Sequence, residues 1–223
     1  MNFFDQQSIF FTLLDYPMSY LEFFGTIAGA IAVWLSARAH VWSWPIGIIN
    51  VILLFFLFFQ IQLYPDMFLQ IFFFITNILG WWRWTHPKVG EEDRKNELRI
   101  SRMSPFLLGW TVVLVIAGTI GSGLLAGNLH VWLPFIFSQK SAFPFADSFV
   151  TVLSILAQYW MLHKKVECWA MWIVADIVAT YLYFLKEVKF LCLEYLVFCF
   201  IAGMGFYNWW KEYNSYKGDR SLI

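Results

Sequence analysis

The chain has 223 residues, 60% hydrophobic and only 13% charged, with mean hydropathy +0.62 and zero formal net charge. Soluble domains usually carry about 25% charged residues, so most of this chain is solvated by lipid, and with no basic stripe it offers nothing to nucleic acid. The three cysteines, Cys168, Cys192 and Cys199, form no close CxxC pair and argue against a disulfide framework or zinc site.

Taken in chain order, residues 1–20 are apolar but too short to span a bilayer and read as an interfacial helix. They lack a basic n-region and a small-residue cleavage site, so no removable signal peptide is expected. A crossing helix needs about 20 mostly apolar residues. That criterion predicts seven spans, at 21–37, 44–60, 66–84, 105–127, 146–162, 169–185 and 190–210. Pro45, Pro65 and Pro105 fall where helices would start. The links after the second and sixth spans are short enough to force antiparallel neighbours. Residues 85–104 (THPKVGEEDRKNELRISRMS) are polar throughout and read as a solvated connector. Residues 127–145 hold Trp132, Pro134, Phe135, Phe143 and Pro144 and read as an interfacial stretch, since the prolines bar a regular span.

The chain also repeats itself. RAHVWSW, Arg38 to Trp44, returns 125 residues later as HKKVECW, His163 to Trp169; GWWRW, Gly80 to Trp84, is matched with NWWKE, Asn208 to Glu212, at an offset of 128. With the N-terminus outside, twelve Lys and Arg residues fall in cytoplasmic segments and three, Lys140, Lys186 and Lys189, outside, a strong positive-inside bias. A three-span module ends on the opposite face from its start. One unpaired span at about 105–127 therefore lets repeats at about 21–84 and 146–210 run in the same direction. The predicted fold class is all-α integral membrane, a single transmembrane domain over 1–223 with 3+1+3 parallel repeats, and internal repeats of this kind place a substrate site at their interface.

Polar groups inside spans are costly and usually face the bundle interior or a water-filled cavity. Span six carries Asp176, Thr180 and Tyr183 at i, i+4 and i+7, with Trp169 and Trp172 on the same face; span five repeats the spacing with Asp147, Thr151, Ser154 and Gln158. Asn50, Gln70, Asn77, Glu194 and Asn208 complete the hydrogen-bonding set, and Tyr181 and Trp209 join Trp169, Trp172 and Tyr183 as candidate stacking rings. Against this stands the structural reading: Ser and Thr often bond their own helix, Asp176 can serve a helix–helix hydrogen bond, and Trp42, Trp81, Trp82, Trp84, Trp132 and Trp210 read as interfacial anchors. The histidines His40, His86, His130 and His163 lie in loops or at span ends, never at ligand spacing. HExxH, GxSxG, GxGxxG and Walker motifs are absent, so neither an enzyme, a metal site, a cofactor nor ATP-driven transport is expected.

The run WSWPIGIINVILLFFLFFQIQLYPDMFLQIFFFITNILGWWRW and its second-repeat counterpart CWAMWIVADIVATYLYFLKEVKFLCLEYLVFCF resemble the PnuC family of vitamin transporters. The likeness runs from about Leu21 to Trp210. Its most specific parts are the Trp-Pro opening of span two, the LYPD step into span three, GWWRW, and the spacing from Trp169 to Asp176. The resemblance implies a fold similar to the SWEET sugar transporters and uptake of nicotinamide riboside across the bacterial inner membrane. It further implies facilitated diffusion made one-way by a cytoplasmic nicotinamide riboside kinase. Family members take thiamine or riboflavin instead, and a receptor that binds without transporting is the reading from another class. A homo-oligomer is compatible with the sequence and not specified by it.

Overall fold

A computed structural model describes residues 8–13, 16–60, 64–132, 142–186 and 189–220. The described residues form seven α-helices, α1 (Tyr20–Ala37), α2 (Ser43–Gln60), α3 (Tyr64–Thr85), α4 (Pro105–Trp132), α5 (Pro144–Leu162), α6 (Glu167–Leu185) and α7 (Lys189–Arg220). Their starts follow the expected boundaries, because proline without an N–H is tolerated in a first turn: Pro105 and Pro144 open α4 and α5. Helix α4 runs on to Trp132, past the expected end at 127, and residues 133–141 of the anticipated interfacial stretch lie outside the described residues.

The N-terminal expectation is corrected. Strands β1 (Ile9–Leu13) and β2 (Tyr16–Ser19) pair antiparallel where an interfacial helix was anticipated, and residues 1–7 lie outside the described residues. The hairpin feeds α1 through a capping box: the Glu22 backbone N–H donates to Ser19 Oγ at 3.2 Å, and the Ser19 N–H donates to Glu22 Oε2 at 2.8 Å. Tyr16 adds a phenol donated to Glu22 Oε1 at 2.6 Å.

Among the described residues six helices are long and apolar enough to cross a membrane: α1, α2, α4, α5, α6 and the Leu191–Tyr216 part of α7. Helix α3 has the length, 22 residues, but Gln70, Thr76, Asn77 and Arg83 dilute its hydropathy. Within α1–α3 the middle helix packs between its neighbours, and α6 does the same between α5 and α7. The two triplets meet along two seams, α1 against α7 and α3 against α5, which exchange when each helix is replaced by its partner in the other triplet. Helix α4 packs on α5 and otherwise turns apolar side chains such as Phe106, Val112 and Ile116 outward, as suits a lipid-facing surface.

The turn after α1 and the turn after α5 are the same structure. Ala39 and Lys164, 125 residues apart, both adopt left-handed backbone with φ of 54° and 46°. His40 N–H bonds Leu35 O and Lys165 N–H bonds Trp160 O, each at 3.0 Å; Ser43 to His40 O and Cys168 to Lys165 O recur in the same register. The register then holds to the helix ends, which corrects the offset of 128. Trp84 matches Trp209, both fully buried, and each indole reaches across to the other triplet: Trp84 Nε1 donates to Met161 O at 3.2 Å and Trp209 Nε1 to Ser36 O at 3.0 Å. Trp84 is thus a core residue and not an interfacial anchor. Trp44 meets Trp84 edge-on at 5.0 Å, and Trp169 meets Trp209 edge-on at 5.5 Å. The pairs fit because Gly80 and Gly205, again 125 apart, leave room: a Cβ at either would enter the Trp44 or Trp169 ring. Matching the visible Trp-Trp doublets slipped the alignment by about one helical turn, whereas buried helix ends tolerate no such shift.

The connector between α3 and α4 is also corrected. It is polar in composition but not merely solvated, since Leu98, Ile100 and Met103 are buried. Leu98 N–H bonds Trp84 O at 2.9 Å, and Ser101 pairs with the α5–α6 turn through Lys164 O at 2.9 Å and the Val166 N–H at 3.0 Å. Arg83 pairs with Glu91, and Arg102 with Glu167 at 2.9 Å. Lys164 is 1% exposed, lies 4.4 Å from the Trp84 ring centroid and faces Glu97 at 3.6 Å.

Burial pushes the Lys164 ammonium below the usual lysine range, against the opposing pull of Glu97, Asp93 and Glu212. The unfolded chain therefore holds this proton more tightly than the folded one. Between the lowered folded value and the unperturbed 10.5, the group's contribution to stability rises with pH. Lys164→Met is expected to abolish that rise, and thermal unfolding of both proteins from about pH 8 to about pH 10 checks it. Equal slopes would assign the pH dependence to another group.

Candidate functional site

The expected polar residues divide by what already satisfies them. Buried polar groups are nearly always hydrogen-bonded, so a buried amide or carboxyl without a protein partner is turned toward space that water or a ligand fills. Gln70 on α3, Gln158 on α5 and Asp176 on α6 are 7%, 8% and 4% exposed. Among the described residues none of the three side chains has a hydrogen-bond partner. Indole N–H groups add donors of the same kind, since Trp44, Trp169 and Trp172 Nε1 are buried without a partner. Trp172 and Asp176 are i and i+4 on α6, so they share one face.

Other candidates are engaged within the scaffold. Asn50 Nδ2 donates to Gly25 O of α1 at 2.8 Å, which ties α2 to α1. Asn77 Nδ2 donates to Phe73 O one turn back at 2.7 Å, while its Oδ1 rests against Gly47 of α2. Thr180 bonds Asp176 O at 2.7 Å in its own helix, and Thr151 bonds Asp147 O in the same way at 3.0 Å. Asn208 Nδ2 reaches Ala37 O at 3.2 Å across the α1/α7 seam. The Asp147 carboxylate takes Lys186 at 2.9 Å.

The candidate rings are likewise separated. Trp169 and Trp209 are fully buried in the tryptophan cluster, where their faces meet other rings. Trp172 is partly buried and Tyr183 stacks on Tyr195 of α7 at 5.3 Å with 15° between planes. Tyr181 is 61% exposed, so the structure does not bury that ring among the helices as expected. Glu194 lies beside the Thr26 side chain, across the α1/α7 seam.

Trp44 was not among the expected site residues, although its buried indole N–H has no partner. Its position 125 residues before Trp169 is the signal that marks it. The open crevice between α1 and α7 takes only Asn208 from the candidates, and neither Gln70 nor Gln158 lines it. Among the described residues, no group of His, Cys, Asp and Glu stands ready to hold a metal ion.

Set beside known proteins, the family model described as nicotinamide mononucleotide transporter matches residues 19–211. The chain is 33% identical to the nicotinamide riboside transporter PnuC of Escherichia coli (strain K12), over 100% of this chain and 99% of that one. It is 24% identical to the riboflavin/roseoflavin transporter RibM of Streptomyces davaonensis, over 94% and 92% of the two chains. Among solved structures, the crystal structure of the vitamin B3 transporter PnuC superposes with a TM-score of 0.66 over 88% of this chain and 83% of that one. At 22% identity that likeness is one of fold.

Proposed function

This chain belongs to the nicotinamide mononucleotide transporter family, that of the PnuC proteins, and on that premise we propose that it carries nicotinamide riboside across the bacterial inner membrane by facilitated diffusion. The observation that carries the reading is the full-length 33% identity to a nicotinamide riboside transporter. The reading takes all seven helices as spans of one transmembrane domain in a 3+1+3 parallel, SWEET-like arrangement. Support for α3 as the seventh span comes from its 22 residues, about 33 Å at a rise of about 1.5 Å per residue. Support for parallel repeats comes from the turns, seams and indole bonds that recur 125 residues apart.

The interior chemistry suits this substrate. Nicotinamide riboside presents a flat cationic ring, a carboxamide and ribose hydroxyls. An aromatic face attracts a desolvated cationic ring by about 2 kcal/mol or more, which is the role proposed for Trp172 and Tyr183. The amides of Gln70, Asn77 and Gln158 both donate and accept, as a carboxamide requires. Asp176 faces the cation, and Asn50, Thr180, Glu194 and Asn208 line or brace the path. Phosphorylation by a cytoplasmic kinase would add about two negative charges to a molecule for which, among the described residues, the interior offers no unpaired cation. The buried cations near the cytoplasmic end, Lys164 and Arg83, are already held by Glu97 and Glu91. Product is thereby trapped without an ion gradient, and the chain acts as a carrier and not as an enzyme.

Purified protein in liposomes should equilibrate radiolabelled nicotinamide riboside and stop at equal concentrations inside and out. Stoichiometric binding without flux would make it a receptor, and accumulation driven by a proton or sodium gradient would replace the diffusion mechanism. Riboflavin is the second reading, favoured by the likeness to RibM; titration with both vitamins separates the two. The orientation proposed is N-terminus outside and C-terminus cytoplasmic. In a background with Cys168, Cys192 and Cys199 replaced, an impermeant thiol reagent added outside should label Ser8→Cys and not Ser215→Cys. The reverse pattern would invert the topology.

A further inference from the structure

Between α1 and α7 opens a crevice of about 680 Å³, lined in part by the exposed rings of Phe200 and Tyr207. Gly203 forms part of its floor, where a Cβ would meet nothing within 4 Å, and Phe200, Met204 and Tyr207 form its walls. At one end stands Arg38, its guanidinium 3.9 Å from the Trp34 ring centroid. Among the described residues Arg38 has no carboxylate partner. It follows the last residue of α1, at the end of a helix long and apolar enough to cross a membrane.

The related seam makes the point by contrast. In the register of 125, Trp34 and Arg38 correspond to Tyr159 and His163, and Asn208 corresponds to Arg83. There His163 packs on Tyr159 with centroids 4.7 Å apart, and the cation Arg83 is paired with Glu91 of the connector. The α3/α5 seam thus carries its own counter-ion. The α1/α7 seam keeps a cation at the mouth of an apolar slot and, among the described residues, pairs no carboxylate with it.

We propose that this crevice binds an anionic phospholipid, with its phosphate on the Arg38 guanidinium and one acyl chain along Phe200, Gly203 and Tyr207. Guanidinium matches a phosphate through paired N–H donors, and basic pockets between membrane helices are recurrent sites for anionic headgroups. A soluble anion would gain nothing from the apolar slot, whereas an acyl chain fills it. A zwitterionic lipid brings its own cation close to Arg38 and is disfavoured. The site depends on the chain being embedded in a bilayer and not on which solute it carries.

Native mass spectrometry of the purified protein in micelles holding equal phosphatidylglycerol and phosphatidylcholine tests it. One phosphatidylglycerol should be retained in preference to phosphatidylcholine, by about fivefold for one arginine at the membrane surface. Arg38→Gln should remove the preference. Gly203→Leu should lower retention of the lipid with the charge intact, because its side chain occupies the slot. Arg102→Gln, a change of equal charge at a residue paired with Glu167, should keep the preference. No preference in the parent protein, its survival in Arg38→Gln, unchanged retention in Gly203→Leu, or its equal loss in Arg102→Gln would each overturn the proposal.

Discussion

Gln70→Leu is expected to weaken nicotinamide riboside binding by about 1–3 kcal/mol, the cost of leaving a buried polar group unpaired, which is about 5- to 150-fold in Kd. The protein should still fold and insert, because leucine is favoured in a membrane helix and, among the described residues, no protein group loses a hydrogen bond. That second condition makes Gln70 the clean probe. Asn77→Leu should weaken binding as well, but there the change also removes the bond to Phe73 O and presses against Gly47. Gln158→Leu, on the other side of the α3/α5 seam, should behave like Gln70→Leu. Calorimetric titration of each purified variant decides the matter. Parent affinity in both glutamine variants would mean that these amides serve packing and that the site lies elsewhere.

What could be read from the sequence follows what hydropathy encodes. The helices were legible because apolar runs between prolines and polar links leave little choice of boundary, as at Pro105 and Ala37. The connector was not, because its local composition is polar. Its buried residues Leu98 and Ile100 stand two apart within NELRIS, the alternation of a strand-like segment with one face covered, and nothing local reveals that the α5–α6 turn is the cover. The N-terminal hairpin was not legible for a different reason: apolar content without a clear period fits an interfacial helix equally well. For the candidate site, residue type was legible and partner was not. Asn50, Asn77 and Asn208 look like Gln70 in a sequence, yet each donates to a backbone carbonyl chosen by the fold. A free amide and a bracing amide differ only in what the neighbouring helix presents.

Trp84→Ala and Trp209→Ala are each expected to destabilise the protein by about 3–5 kcal/mol, the usual cost of emptying a buried aromatic site. Both rings are fully buried, and each truncation also strips a partner from a carbonyl in the other triplet, Met161 O or Ser36 O. The two residues occupy corresponding places, so their losses should be close to equal. They also touch, with ring centroids 5.8 Å apart, so the losses should not add. The double variant should depart from the sum by about 0.5–3 kcal/mol, as neighbours in contact do, while independent sites agree within about 0.3–0.5 kcal/mol. Equilibrium unfolding in mixed micelles measures all three. Additive losses would mean that each indole braces its own seam alone. Coupled losses would mean that the two triplets close on one shared aromatic core, so that any motion opening that end of the bundle must disturb both seams together.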